Sequence, residues 1–212
     1  WLRAELRAQG AALLEQGGCI LLRAGAVGPH GGIEETLEAL TRLPEGTVFL
    51  MMGRPSDAYR AELIAIIRER GLQHRAIFWD RPSDEQWKRA LQGADVGHLI
   101  HGPFPEGPMA RVYADNSSLS NYRLFNYMAA GLPIIAYDDP RMSELYQEVA
   151  CFRVARLKCL TEDLVAILTE LTAEPETRKA LGIVGRRAHL TTYTWQHQFD
   201  KILVKSRKLV RQ

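Results

Sequence analysis

The stretch CILLRAGAVGPHGGIEETLEALTRLPEGTVFLMM, residues 19–52, decides the fold class. It begins and ends with an apolar run, CILLR at 19–23 and TVFLMM at 47–52, and both runs are typical of buried strands. Between them lie a glycine-rich loop and a segment, residues 33–43, whose apolar residues recur every three or four positions, as on one face of a helix. A strand, a helix and a second strand in this order predict a crossover within a parallel sheet.

The same alternation continues along the chain. Further strands are predicted at residues 76–79, 95–100 and 133–137, and a short sixth at 150–154. Helices are predicted between them, at residues 58–70, 84–92, 118–130 and 142–148. The first residues, 2–16, are predicted to form a helix that ends at Gly17 and Gly18. Beyond residue 160 only helices are predicted, at 161–173, 175–190 and 195–210.

This pattern predicts an α/β fold, a Rossmann-like parallel sheet with helices on both faces and C-terminal helices. Residues 1–17 are expected to form an N-terminal helix or linker, 18–160 the Rossmann-like domain, and 161–212 a helical extension packed on that domain. The chain begins at Trp1 rather than Met, which suggests a piece of a longer protein.

Composition excludes several classes of protein. The 212 residues are 46% apolar and 25% charged, which argues against a disordered chain or a disulfide scaffold. The net charge of +2 is too small for a typical nucleic-acid-binding protein, and no apolar run approaches the roughly 18 residues of a membrane helix. Cys19, Cys151 and Cys159 lack CxxC spacing, so we expect buried thiols in a reducing, cytoplasmic setting.

The loops after the strands are the candidate sites, because open parallel sheets bind ligands beyond the carboxyl ends of their strands. The first such loop contains Gly25, Gly28, Gly31 and Gly32 and leads into a helix. Uncovered backbone amides beside a helix N-terminus would form an anion site. The spacing differs from GxGxxG, so it does not predict a dinucleotide site. A plain flexible turn is the alternative.

The loop after the fourth strand, residues 101–117, is the longest, and loops beyond about 12–15 residues are usually functional or mobile. Ser118 is expected to cap the following helix, whose first amides, together with Arg123, would attract a phosphate. The alternative is a capped helix with a solvated arginine.

Other polar features favour structural roles. His98 and His101 lie an odd number of residues apart and would face opposite sides of a strand, so we expect a core histidine and a loop-edge histidine rather than a metal pair. Asp138-Asp139-Pro140 is typical of a turn before a helix. No metal site and no catalytic residue is predicted.

The C-terminal segment is basic and contains Lys201, Lys205, Arg207, Lys208 and Arg211. It is interpreted as a solvated helix face, with contact to anionic lipid or nucleic acid as the alternative.

The segment NYRLFNYMAAGLPII, residues 121–135, is similar to the P-N-K-L-F-E-Y-M-A-A-G-x-P-V-V stretch of GT-B glycosyltransferases of the group 1, family 4-like type. Other pieces resemble motifs of the same family in the same order, namely GIEETLEAL at 32–40, MGR at 52–54, FWD at 78–80, ADV at 94–96 and YTW at 193–195. The resemblance covers nearly the whole chain, from residue 19 to about residue 195.

This resemblance implies a divergent C-terminal, donor-binding domain, one half of a GT-B fold, with the N-terminal domain missing. It implies a glycosyltransferase that moves a sugar from a UDP- or GDP-linked donor to a glycan or lipid-linked acceptor, in exopolysaccharide or lipopolysaccharide synthesis. No further cofactor is implied. The expected location is the cytoplasm or the inner face of the membrane, with peripheral membrane association as one option and no nucleic acid as partner.

The resemblance also implies roles for individual residues. Arg123 replaces the family's lysine and would contact the donor diphosphate, with Arg54 or Arg23 as additional charges. Asn126 replaces the family's second glutamate and would bind the ribose. Residues implied at the phosphate are Ser117, Ser118, Leu119 and Ser120, and those implied at the base are Trp79, Asp80 and Arg81.

Three departures from the family pattern leave alternatives open. Ser118 and Asn126 stand where the family has carboxylates, and Gly31 stands where it often has a basic residue. A non-catalytic nucleotide-sugar-binding module is therefore one alternative. A sugar epimerase of a related two-domain fold is another, and His30 and His101 are the histidines we would place near its cleft.

Overall fold

The computed structural model describes residues 1–11, 14, 18–101, 122–200 and 203. A six-stranded sheet lies at its centre, with the strand order β3-β2-β1-β4-β5-β6 and parallel pairing throughout. The strands are β1 (Cys19–Ala24), β2 (Thr47–Met52), β3 (Ala76–Trp79), β4 (Val96–Leu99), β5 (Ile134–Tyr137) and β6 (Phe152–Ala155). The predicted α/β fold with a parallel sheet is confirmed.

Helices precede the first strand, connect the strands and follow the last one. They are α1 (Leu2–Ala8), α2 (Ile33–Leu40), α3 (Asp57–Glu69), α4 (Asp84–Gly93), α5 (Tyr122–Ala130), α6 (Ser143–Glu148), α7 (Leu160–Ala173) and α8 (Pro175–Ala188). A π-helical turn, His189–Tyr193, follows α8, and residues 195–200 are helical again. In the described part of the chain, no helix has both the length and the apolar character needed to cross a bilayer.

Two apolar layers cover the sheet because successive side chains of a strand point to opposite faces. Ile20 and Leu22 of β1 pack in the layer that contains side chains of α1, α4 and α5. Leu21 packs in the other layer, with α2, α3 and α7. All three side chains are fully buried, and each such burial contributes about 1.5–3 kcal/mol. The prediction of helices on both faces is therefore confirmed.

Most predicted boundaries lie within three residues of the observed ones, but α1 is much shorter than predicted. It ends at Ala8 rather than at residue 16, because the backbone turns at Gly10, which has φ = 103°. The amide of Gln9 bonds back to the carbonyl of Leu6, and that of Gly10 bonds to Arg7. The predicted end at Gly17 lies outside the described residues, as does most of the predicted helix 195–210 together with its basic side chains.

Two smaller predictions can be compared with the structure. The turn predicted at Asp138-Asp139-Pro140 is present, because the Asp139 carboxylate accepts from the Arg141 amide and Pro140 begins a 3₁₀ helix. The three cysteines are free, and burial raises the pKa of the Cys19 thiol to about 11. Cys159 is only half-buried, so the expectation of buried thiols is wrong at that position.

The sheet opens between β1 and β4. The chain reaches β2 from β1 through α2, on one face, whereas α5 follows β4 on the other face. β1 and β2 are paired over six residues, but β1 and β4 only at Leu21–Val96 and Leu22–Gly97. Beyond those pairs a gap lies at the carboxyl edge, at the point where the strand order reverses, which is where open α/β sheets bind ligands. We call this gap the β1–β4 crevice; residues 23–32, residues 98–101 and the N-terminal half of α5 border it.

Candidate functional site

Tyr127 of α5 spans the base of the β1–β4 crevice. Its hydroxyl accepts a hydrogen bond from the Ala24 amide (2.9 Å) and donates to the Leu22 carbonyl (2.8 Å). The ring lies against Gly97, where a Cβ would come within 2.6 Å of it. The side chain is fully buried, and burial raises the pKa of the phenol. Helix α5 is thereby fixed to the end of β1, although a different strand precedes it.

Arg123 lies four residues before Tyr127, on the same face of α5. Its Nε donates to the Ala24 carbonyl (2.7 Å), and its Nη1 donates to Nε2 of His101 (3.1 Å). The residue is only 3% exposed, so the alternative of a solvated arginine is wrong. The structure therefore places a buried guanidinium at the end of β1, next to the first glycine loop.

Gly25 is the point at which this loop approaches α5. It has φ = 121°, in the range that side chains rarely adopt. A Cβ there would lie 2.5 Å from the Tyr122 hydroxyl and 3.2 Å from Nη2 of Arg123. Only glycine fits, so the loop and the arginine are packed against each other.

The other end of the loop forms the N-terminus of α2. Gly32 precedes the helix with φ = 62°, and the amides of Gly32 and Ile33 donate no hydrogen bond to the described part of the chain. The Val27 amide likewise has no acceptor there. Unpaired amides at the positive end of a helix attract anions, so the loop has the donor pattern of a phosphate site. Gly28 and Gly31 lie between these donors, and a Cβ at Gly28 would meet no atom within 4 Å.

The two histidines of the crevice are neutral. Burial, followed by the charge of Arg123, lowers the pKa of His101 to about 2. Burial and then Arg23 lower the pKa of His98 well below its ordinary value. His98 is fully buried and His101 half-buried, which confirms the predicted core and loop-edge positions. The described residues contain no group of three or more His, Cys, Asp or Glu arranged to hold a metal ion.

Arg54 follows β2 at the same edge of the sheet. Its guanidinium pairs with Asp57 (3.3 Å), and about half of its side chain is exposed. It contributes positive charge to this edge, but it makes no described contact with Arg123 or with the glycine loop.

The residues predicted at the base lie further away, at the end of the edge strand β3. The Trp79 ring packs against Trp1, with 5.8 Å between centroids, while the Asp80 carboxylate pairs with Arg60. Arg81 is exposed. The link to the crevice is indirect: the Gly53 amide donates to the Trp79 carbonyl, and Gly53 packs on the backbone of Gly25. The structure therefore brings Gly25 and Arg123 together but leaves Trp79, Asp80 and Arg81 apart from them.

Asn126 faces a cavity of about 660 Å³. Aromatic side chains form much of its wall, and two of them, Phe125 and Tyr193, pack against each other at 5.9 Å. Tyr122 lines the cavity and also contacts the Gly25 turn, so the cavity adjoins the crevice. Ser117, Ser118, Leu119 and Ser120, which were predicted at the phosphate, lie outside the described residues.

Sequence reasoning missed two parts of this arrangement. The role of the Tyr127 hydroxyl depends on a partner 103 residues away, and no local pattern indicates it. The contacts of Arg23 could have been predicted from the sequence, because this charged residue belongs to the otherwise apolar run CILLR. A buried strand that contains an arginine predicts an internal partner for it.

The solved structures that resemble this chain include those of glycosyltransferases. Anabaena HepE in complex with UDP has a TM-score of 0.72 and 16% identity, over 96% of this chain and 52% of that one. Sucrose-phosphate synthase from Thermosynechococcus elongatus has a TM-score of 0.73 and 20% identity, over 98% and 49%. The C-terminal domain of LpcC, a glycosyl transferase group 1 family protein from Francisella tularensis, has a TM-score of 0.63 and 17% identity, over 84% and 87%.

This chain thus spans about half the length of the first two proteins and most of the isolated C-terminal domain. Among curated proteins, none matches the sequence at a significant level. The family model described as glycosyl transferase-like matches residues 34–204, far more than half of the chain. With the predicted Rossmann-like half of a GT-B fold present as well, the chain belongs to the glycosyl transferase-like family.

Proposed function

We propose that the chain is the donor-binding half of a glycosyltransferase and that it holds the diphosphate of a UDP- or GDP-linked sugar in the β1–β4 crevice. The sugar would pass to a glycan or lipid-linked acceptor in polysaccharide or lipopolysaccharide synthesis. The acceptor site and any general base would belong to the other half of a two-domain protein. A cytoplasmic location, at the inner membrane face for a lipid-linked acceptor, accords with the three free cysteines.

One observation carries the proposal: a buried guanidinium, that of Arg123, packs on the same glycine loop that presents unpaired amides. An arginine fork and backbone amides are the donors that proteins use for phosphate groups. Because the site is at the carboxyl edge of a parallel sheet, where the strand order reverses, its position also suits a nucleotide.

The structures of HepE support the choice of ligand. That protein has a similar fold and was solved with UDP and with UDP-glucose. At 16% identity the likeness concerns the fold alone. The proposed ligand of this chain is therefore argued from the geometry of the crevice.

The same groups would assist the chemical step. When the sugar leaves its donor, negative charge grows on the departing diphosphate. Donors that are already fixed in place stabilise such charge without reorganising, and one of them is worth about 2.7–4 kcal/mol in other enzymes. Arg123 is held by the Ala24 carbonyl, and the amides of Gly32 and Ile33 are held by α2, so both kinds of donor are fixed.

Calorimetric titration of the chain with UDP, GDP, CDP, ADP and NAD tests the proposal. We expect one nucleoside diphosphate to bind, and we expect Arg123→Ala to weaken its binding at least tenfold, about 1.4 kcal/mol. Arg153→Ala is the control, because Arg153 of β6 is half-buried and pairs with Glu170 of α7, away from the crevice. Equal affinity of the Arg123→Ala variant would contradict the role of Arg123, and binding of NAD alone would contradict the transferase.

Asn126, which stands where the family has a glutamate, favours a second candidate, a non-catalytic nucleotide-sugar-binding module. An amide still bonds to ribose hydroxyls, but without the charge of a carboxylate. Such a module would bind the donor and transfer no sugar when joined to its other half. An epimerase is less well supported, because burial and the charge of Arg123 keep His101 neutral near pH 7, so it lacks the imidazolium proton that a general acid would donate.

A further inference from the structure

Arg23 is a buried cation beneath the glycine loop. It follows Leu22 in β1, is 2% exposed, and has no carboxylate within ion-pair distance among the described residues. Burial and then the charge of Arg123 lower the pKa of its guanidinium to about 9, so the group is still charged at pH 7. Burying an unpaired charge is costly, and the surrounding contacts must offset that cost.

Those contacts are almost all with backbone carbonyls that border the crevice. Nε donates to Ala26 (3.0 Å), near the start of the loop, and Nη1 donates to Gly31 (2.9 Å), near its end. Nη1 also lies 3.0 Å from the carbonyl of Ile100, just after β4. One guanidinium therefore joins both ends of the glycine loop to the opposite wall of the crevice.

A chain of hydrogen bonds through two further side chains connects Arg23 to Gly32. Nη1 of Arg23 donates to Nδ1 of His98 (3.2 Å), so the neutral ring carries its proton on Nε2. Nε2 donates to the Thr36 hydroxyl (3.0 Å), which donates to the Gly32 carbonyl (2.5 Å). Three loop carbonyls are thus turned towards the interior, two directly by Arg23 and one through His98 and Thr36.

The direction of these carbonyls fixes the direction of the loop amides. In a planar trans peptide the C=O bond and the following N–H bond point in opposite directions. Inward carbonyls at Ala26, Gly31 and Gly32 therefore turn the next amides outward. Those next amides are Val27, Gly32 and Ile33, and none of them donates to an acceptor in the described part of the chain.

Gly31 leaves room for this arrangement. A Cβ at Gly31 would lie 2.6 Å from Nη2 of Arg23, and Nη2 makes no hydrogen bond to the described residues.

We propose that Arg23 is a positioning residue of the donor site. It turns the loop amides towards the diphosphate and supplies, from beneath the loop, the positive charge that the loop side chains lack. This inference rests on the proposed function.

The test compares a nucleoside diphosphate with its nucleoside. UDP and uridine, and GDP and guanosine, are titrated into the wild-type chain, Arg23→Met and Arg23→Lys. For the base that binds, we expect Arg23→Met to lower the affinity for the nucleoside diphosphate at least tenfold. The affinity for the nucleoside should fall less than threefold. Arg23→Lys keeps the charge but not the fork, so its affinity for the diphosphate should lie between those of the wild type and Arg23→Met.

Arg75→Met is the matched control. Arg75 also donates to backbone carbonyls, those of Thr47, Leu43 and Pro44, but it lies at the amino edge of the sheet. Its loss should leave the ratio of the two affinities unchanged. If Arg23→Met does not fold, Gly31→Ala serves instead, because its Cβ displaces the guanidinium; the same selective loss is expected.

Diphosphate affinity within threefold of the wild type in Arg23→Met, or in Gly31→Ala where that variant serves, would overturn the inference. So would an equal loss for the diphosphate and the nucleoside, since that pattern indicates a merely structural role. A wild-type chain that binds neither UDP nor GDP would instead contradict the proposed function, and the two failures are therefore distinguishable.

Discussion

The hydroxyl oxygen of Tyr127 lies 2.9 Å from the amide nitrogen of Ala24, and this contact joins α5 to the end of β1 across 103 residues of sequence. The hydroxyl takes the place of a neighbouring strand at the point where β1 and β4 part. Arg123 and the glycine loop are positioned relative to each other by this contact, since one belongs to α5 and the other follows β1.

Tyr127→Phe should destabilise the chain by about 1–3 kcal/mol, because it leaves the buried Ala24 amide without an acceptor. Urea unfolding measures the loss. Tyr146→Phe is the control: its hydroxyl donates to the Tyr137 carbonyl (3.0 Å) in a partly buried setting, so the cost should be smaller. Equal costs in the two variants would show that the Tyr127 hydroxyl has no special role.

Gly97→Ala should destabilise the chain by about 1–3 kcal/mol through overpacking, because the new methyl group meets the Tyr127 ring at 2.6 Å. Gly28→Ala, whose methyl group meets no atom within 4 Å, should change the free energy of unfolding by less than about 0.5 kcal/mol. Thermal unfolding of both variants checks this. A stable Gly97→Ala chain would mean that the ring moves away at little cost.

Stability should fall as the pH falls below about 6.5. His98 and His101 stay neutral in the folded chain, because their pKa values are lowered, to about 2 for His101, whereas both bind a proton when unfolded. The unfolded state then binds more protons, and each histidine costs about 1.4 kcal/mol per pH unit below 6.5. Asp163, whose pKa Arg156 lowers to about 2, contributes only below about pH 4.

His98→Gln isolates one of the two histidines. Its amide still accepts from Arg23 and donates to Thr36, but it does not titrate. Urea unfolding at pH 7, 6 and 5 should show a weaker pH dependence than in the wild type, and the remainder is due to His101 and to His189, whose pKa burial also lowers. An unchanged dependence would mean that His98 is protonated in the folded chain.

The fold was largely predictable because its signals are local. The apolar runs of β1 and β2 are continuous, as expected for strands that are buried on both faces, and Ser83 caps α4 as predicted. The end of α1 was not predictable in the same way. A run of helix-forming residues continues past Ala8, and only the backbone turn at Gly10 stops the helix there.

The site was predictable in part. The four loop glycines and Arg123 were identified from sequence, since a glycine-rich loop and a basic helix start are local features. The order of the strands in the sheet is not local, and it alone brings Arg123 to Gly25. The buried network of Arg23, His98 and Thr36 depends on three elements, β1, β4 and α2, so no single segment reveals it.

The central claim is that the β1–β4 crevice binds a nucleoside diphosphate, and amide NMR spectra test it most directly. The ¹⁵N-labelled chain is titrated with UDP and GDP, and with uridine and guanosine as controls. We predict that one diphosphate shifts the amide resonances of Val27, Gly32 and Ile33, and that its nucleoside leaves them in place. Resonances that stay in place with both diphosphates, or that shift only in the cavity around Phe125 and Tyr193, would contradict the claim.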